Sequence, residues 1–231
     1  VVPLFCFQED VLAKPLFDPQ QLPIDSIAGE PAVATERLAP DWLRARFAAP
    51  PEWRPEALDE SVGMRPNPTS ASVLIPLVER PEGLTLLLTQ RTAHLTDHPG
   101  QISFPGGRAE EYDASPIDTA LREAEEEIGL ARTHVDILGA LPLYYTGTGY
   151  IVTPVVGLVR PPFELRADPD EVEEIFEVPL SFLMDGQNHQ RLAAQLPSGR
   201  RRFYAMPYEH YYIWGATAGM LRNLFHFLRA E

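Results

Sequence analysis

The sequence predicts a mixed α/β domain in which helices lie against the faces of a sheet. Short apolar runs bounded by Gly and Pro recur from residue 70 to the C-terminus, which is the pattern of strands. Two segments, 116–128 and 217–228, instead carry apolar residues at helical spacing. Residues 1–69 differ from the rest: they are rich in Pro, Ala and acidic residues and hold only short periodic pieces. They are read as an N-terminal extension, packed or linker-like, leading into a main domain over 70–231.

Within the extension, residues 40–47 suit a helix, and Ala49-Pro50-Pro51 and Arg65-Pro66-Asn67-Pro68 are breakers. Residues 71–78 and 84–91 read as buried strands, joined by a turn at Glu82-Gly83. A loop rich in Gly and Pro runs from His94 to Ser115. Ser115 then suits an N-cap, Pro116 the first helical position, and Asp118 sits three residues after the cap. The helix ends at Gly129, and Ile117, Leu121, Ala124 and Ile128 form the stripe expected to face a core. Residues 135–145 and 151–159 read as strands. Residues 171–178 form another, followed by a helical turn over 179–183. Residues 201–207 and 211–213 look extended. In the final helix Met220, Leu221, Leu224, Phe225 and Leu228 follow helical spacing.

Composition removes several function classes. The chain has 231 residues, 45% of them hydrophobic, enough for one core of ordinary size. No run of 18 apolar residues exists, so no membrane span is expected. The formal net charge of −14 argues against a nucleic-acid surface, whose affinity comes from Lys and Arg on phosphates. An acidic protein binds a phosphorylated small molecule only through a local device, such as bound cations or a few placed arginines. Cys6 is the only cysteine, so there is no intrachain disulfide and no cysteine metal site, and a reducing cytoplasm is the expected setting.

The chemistry concentrates on the helix over 116–128. Glu123, Glu126 and Glu127 stand at i, i+3 and i+4, so their carboxylates share one face, roughly opposite the apolar stripe. Each like-charged pair costs roughly 0.2–0.5 kcal/mol in an isolated helix. The negative end of the helix dipole adds to that cost. Two readings are open: a solvated acidic face, or a set of hard oxygen ligands for Mg²⁺ or Mn²⁺. Arg122 lies four residues before Glu126 and can offset or orient the acids.

Context separates the two readings. Gly106-Gly107 precedes the helix, and a glycine pair lets backbone approach a neighbour closely. Gly107, Asp113 six residues on, and Arg122-Glu123-Ala124-Glu125-Glu126-Glu127-Ile128-Gly129 together resemble the Nudix box. Eight residues separate Asp113 from Arg122, one more than is usual, and the acid is Asp rather than Glu. The extra residue falls before or within the first helical turn and leaves the Glu123, Glu126, Glu127 geometry intact. The upstream stretch from Leu87 to Gly107, through Arg91, His94, His98, Pro99 and Gly100, is similar to the signature of the coenzyme A pyrophosphatase branch of that family. Thr92 stands where Ser or Ala is usual, and Thr96 where Arg is often found. Ile213-Trp214-Gly215-Ala216-Thr217-Ala218-Gly219 also resembles the branch.

The resemblance implies a Nudix-type α/β/α sandwich, a mixed sheet flanked by helices. It implies metal-dependent hydrolysis of a diphosphate, with coenzyme A or a derivative as substrate. Glu123, Glu126 and Glu127 would be metal ligands, with Mg²⁺ or Mn²⁺ as cofactor. Glu123 or Glu171 would be the base, with Glu174 a weaker candidate. Arg91, His98, Gly106, Gly107 and Arg108 would meet the substrate. The rival readings are another nucleoside diphosphate derivative such as ADP-ribose, or a noncatalytic ligand-binding domain. The expected partner is a small molecule rather than nucleic acid or membrane, and a homodimer is left open. Tyr211, Tyr212 and Trp214 have core packing as their first reading and base stacking as the second.

Overall fold

The computed structural model describes residues 18–56, 67–95, 98–196 and 199–231; Cys6 and Thr96 lie outside them. In chain order the extension supplies β1 (Ile24–Ile27) and α1 (Pro40–Ala48). There follow β2 (Thr69–Arg80), β3 (Gly83–Arg91), β4 (Ile102–Ser103), β5 (Gly106–Arg108) and α2 (Pro116–Ile128). Next come β6 (Val135–Ala140), β7 (Tyr144–Tyr145), β8 (Tyr150–Val159), β9 (Val172–Pro179) and α3 (Leu180–Leu183). The chain closes with β10 (Gln190–Leu196), β11 (Gly199–Tyr208), β12 (Tyr211–Trp214) and α4 (Gly215–Arg229).

Two sheets form. The larger has the order β4-β3-β2-β8-β6, with β5 on β2, β7 on β8 and β9 on β3; β2 and β8 run parallel and the other pairs antiparallel. The smaller has the order β1-β10-β11-β12. The large sheet is covered on both faces, which explains its near-continuous apolar strands. Leu74, Val78, Leu87, Val155 and Val159 pack with Ala120, Ala124 and Ile128 of α2. Their neighbours Ile75, Leu77, Leu86, Leu88, Val156 and Leu158 point the other way, into a cluster with Leu221, Leu224 and Phe225 of α4. The two-residue side-chain period of a strand makes this division. The expected mixed sheet flanked by helices is therefore present.

Several elements differ from the sequence reading. The strand expected over 135–145 is broken at Leu141-Pro142-Leu143, because proline cannot donate to a ladder. The loop expected over 94–115 contains β4 and β5. Strand β10 was not expected from Gln190-Arg191-Leu192-Ala193-Ala194; it exists because it pairs residue for residue with β11. The stripe on α2 is rotated from its expected position. Ile117 is 37% exposed, whereas Ala120, Ala124, Ile128 and also Glu127 are buried. The acidic face thus borders the sheet instead of standing opposite it.

The described part of the extension is fastened to the C-terminal helix. Arg37 donates to the carbonyls of Leu228 and Arg229, both at 3.1 Å, and Arg46 to that of Phe227 at 3.2 Å. Cations on the last carbonyls of a helix satisfy its unpaired acceptors and its dipole. Among the described residues no helix is long and apolar enough to cross a membrane.

Candidate active site

Helix α2 is fixed at both ends. The Asp118 amide donates to Ser115 Oγ at 3.2 Å, and Gly129, at φ 67°, turns the chain in the left-handed region that favours glycine. Amides of Gly129 and Leu130 return to the carbonyls of Glu125 and Ala124. This sets the rotation of the acids about the helix axis.

The glycine pair lies directly beneath them on β5. The Gly106 amide donates to Glu127 Oε2 at 3.1 Å. A Cβ on Gly107 would stand 2.6 Å from Glu123 Oε1, so only glycine lets that carboxylate settle on the strand. A Cβ on Gly106 would overlap the Ser72 carbonyl and stand 2.6 Å from Val73 Cα. One glycine admits the helix carboxylate; the other admits the neighbouring strand.

Arg122 is the hub. Its Nε and Nη2 donate to the two oxygens of Asp113, each at 2.9 Å. Its Nη1 reaches Glu123 Oε1 at 2.8 Å and Glu126 Oε2 at 2.9 Å, and its Nη2 also reaches the Arg108 carbonyl at 3.0 Å. Asp113 accepts further bonds from Thr119 Oγ1 and the Glu110 amide, both at 2.9 Å. The Arg122 contact, then the Glu110 amide, hold the Asp113 carboxyl well below its ordinary range. In geometry Asp113 serves the arginine, and the arginine orients two of the three helix acids.

Glu127 is only 6% exposed. Burial pushes its carboxyl up to about 8; the Gly106 amide opposes this, Glu171 and Glu123 reinforce it, and Arg91 opposes it. Burial also raises Glu123 against the pull of Arg122, with Glu126 and Glu171 adding repulsion. Glu171 thus stands within the electrostatic reach of both. The loop that carries it is pinned on two sides. Amides of Arg166 and Asp168 donate to the carbonyls of Ile128 and Glu127 at the end of α2, at 2.9 and 2.8 Å. Buried Thr92 donates its amide to the Glu171 carbonyl at 3.0 Å and its hydroxyl to the Asp170 carbonyl at 3.2 Å. Glu174 lies elsewhere: it accepts the Tyr211 hydroxyl at 2.8 Å.

The substrate-binding candidates divide. Arg91 ends β3, its field acts on Glu127, and its Nε is buried without a hydrogen-bond partner among the described residues. A buried donor in that condition suits an arriving anionic oxygen. Arg108 donates to the Tyr150 hydroxyl at 3.0 Å and lies 5.7 Å from the centre of its ring. His98 sits at φ 55° and its carbonyl accepts the Gln101 amide at 3.2 Å, shaping the turn after Arg91. Tyr211 stacks on Phe176 at 3.5 Å, and Trp214 meets Phe203 edge-on at 5.5 Å, consistent with the packing reading. Thr92 and Tyr150 were missed by the sequence reading, since their partners lie 78 and 42 residues away.

Among the described residues, no three His, Cys, Asp or Glu side chains close around one point. Arg122 draws Glu123 and Glu126 aside, and the Gly106 amide holds Glu127. The residues nevertheless fit a divalent cation. The donors are all carboxylate oxygens, the type hard cations take. Burial of Glu127 and the repulsion it receives from Glu171 and Glu123 are what a cation would relieve.

Comparison with known proteins gives the family. The model of the NUDIX domain family matches residues 68–202, more than half of the chain. Nudix hydrolases NudL from Salmonella typhimurium strain LT2 and Salmonella enteritidis PT4 are each 42% identical over 190 residues, 82% of this chain and 95% of theirs. A MutT/nudix family protein from Enterococcus faecalis aligns over 74% of this chain and 63% of its own, with 18% identity and a TM-score of 0.44. This chain belongs to the Nudix family and is a hydrolase of diphosphate bonds.

Proposed function

We propose that the protein cleaves the diphosphate of coenzyme A or a derivative, giving 4′-phosphopantetheine and adenosine 3′,5′-bisphosphate. The observation that carries this reading is that Glu127 and Glu123 rest on β5 at Gly106 and Gly107, with the charge of Glu171 acting on both and that of Arg91 on Glu127. The stretch from Leu87 to Gly107 supports the choice of substrate, and buried Arg91 Nε within it offers a donor to a phosphate oxygen.

Glu123, Glu126 and Glu127 would hold Mg²⁺ or Mn²⁺, which when bound neutralises diphosphate charge and lowers the pKa of water. Arg122 holds the carboxylates of Glu123 and Glu126 side by side. Glu171 or Glu123 takes the proton of the attacking water. Gly107 lets β5 run close under Glu123, and Gly106 lets it approach β2 while its amide meets Glu127.

The test compares specificity constants for coenzyme A, dephospho-coenzyme A and ADP-ribose at equal Mg²⁺ or Mn²⁺. Coenzyme A is expected to lead by about ten- to a hundredfold over ADP-ribose. Glu127→Gln should keep the fold and lose roughly two to three orders of magnitude in turnover. ADP-ribose matching coenzyme A overturns the substrate assignment; near-normal turnover of Glu127→Gln at saturating metal overturns the site.

A further inference from the structure

The 146–149 loop, Thr146-Gly147-Thr148-Gly149, joins β7 to β8 and is closed from within. The Thr146 amide donates to the Tyr150 carbonyl at 2.9 Å, the Gly149 amide to the Thr146 carbonyl at 3.2 Å, and the Tyr150 amide to Thr146 Oγ1 at 3.0 Å. Among the described residues, the amides of Gly147 and Thr148 have no partner. The Thr148 hydroxyl meets only Thr146 Oγ1, at 3.0 Å.

Arg201 of β11 reaches across from the smaller sheet to lie against this loop. A Cβ on Gly147 would overlap its guanidinium, so glycine is what admits it. Arg201 is half-buried, and among the described residues it makes no hydrogen bond or ion pair. Its neighbour Arg200, by contrast, pairs with Asp25 at 3.0 Å. In a chain of net charge −14, an uncommitted arginine lying against Gly147, in a loop with two amides that have no partner among the described residues, is suited to an anion.

The loop adjoins the acidic cluster. Tyr150 accepts Arg108, the residue after Gly107, and the Arg108 carbonyl accepts Arg122. Strand β5, beneath the acids, is separated from β8 by β2 alone, or two strand spacings, about 10 Å. A ribose carrying a diphosphate and a separate phosphate spans such a gap.

We propose that the 146–149 loop and Arg201 bind a phosphate monoester carried by the substrate, distinct from the diphosphate that is cleaved. This rests on the nucleoside-diphosphate reading above and names a further group the substrate bears. The experiment titrates the whole protein, metal chelated, with adenosine 3′,5′-bisphosphate and with adenosine 5′-monophosphate. The bisphosphate should bind about ten- to a hundredfold more tightly. Arg201→Gln should erase that difference, Gly147→Ala should do so independently by displacing the guanidinium, and Arg200→Gln should preserve it. Equal affinities in the parent protein, or a difference that survives in both Arg201→Gln and Gly147→Ala, overturns the proposal. In turnover, the ratio of specificity constants for coenzyme A over dephospho-coenzyme A should fall toward one in Arg201→Gln. If neither compound is cleaved, the substrate reading fails while the binding measurement still decides the receptor.

Discussion

At the scale of single residues, the two glycines of the box have different duties. Gly107 faces the end of a side chain, so Gly107→Ala displaces the Glu123 carboxylate and leaves the backbone in place. Turnover should fall by at least about tenfold, since small misplacements at reacting groups are costly, with a nearly unchanged melting temperature. Gly106 faces backbone, which cannot swing aside. Gly106→Ala should lose about 1–3 kcal/mol of stability, the usual range for overpacking, in a denaturant titration. Activity lost with stability intact in Gly106→Ala would contradict this division. The sequence made the glycine pair legible as a place of close approach. It did not assign a partner to each, because that depends on how α2 lies over β5.

At the scale of elements, α2 is the informative case. Its caps, length and end were legible because Ser115, Pro116 and Gly129 act locally. Its buried face was legible only to within one side chain. A helical period fixes angles between residues but not the rotation of the whole helix, which the sheet beneath decides. Ala124→Leu should therefore cost about 1–3 kcal/mol by overpacking against Leu74 and Val155. Ile117→Ala should stay within about half a kcal/mol. Comparable losses for the two variants in urea unfolding would restore the stripe expected from sequence. Strands β1 and β10 show the opposite limit: little in their own residues marks them, and they exist through the partners they find.

At the scale of the molecule, a buried polar network joins extension, smaller sheet and α4. Arg222 is 1% exposed; its Nε donates to Glu56 at 3.0 Å, its Nη2 meets Glu30, and its Nη1 faces His189 Nδ1 at 3.1 Å. His189 Nε2 lies 2.8 Å from the Leu183 carbonyl and must donate to it, so Nδ1 is left as the acceptor for Arg222. Burial drives His189 down to about 4; the Leu183 carbonyl resists this and Arg222 adds to it. The folded pKa is below the unfolded value, so the unfolded chain takes up the proton first. The stabilisation is complete above pH 6.5 and fades toward pH 4, by roughly 3 kcal/mol. Burial alone would raise Glu56, but bonds from His226, Tyr204 and Arg222 outweigh it and hold it at about 2, so its contribution fades below about pH 4.5. The contributions of His189 and Glu56 therefore fade from pH 6.5 downward, whereas Glu127, raised to about 8, opposes them by gaining stability as it is protonated. The His189 part is isolated by His189→Gln: the unfolding free energy of the parent minus that of the variant should fall between pH 6.5 and 4. A difference between parent and His189→Gln that is the same at pH 7 and 4.5 would refute the coupling.

The sequence by itself determined the family, the acids on α2, the glycine pair as a place of close approach and the buried strands of the large sheet. These follow from short-range spacing and side-chain period, which a linear chain displays. Tertiary structure alone decided that Glu127 is buried, that Arg122 is held by Asp113 and gathers Glu123 and Glu126, and that Thr92 anchors the Glu171 loop. It alone set Arg201 against Gly147 and Arg222 among the acids of the extension. Each of the last four depends on a contact between residues in different elements, and burial and charge act through space, where distance along the chain has no bearing.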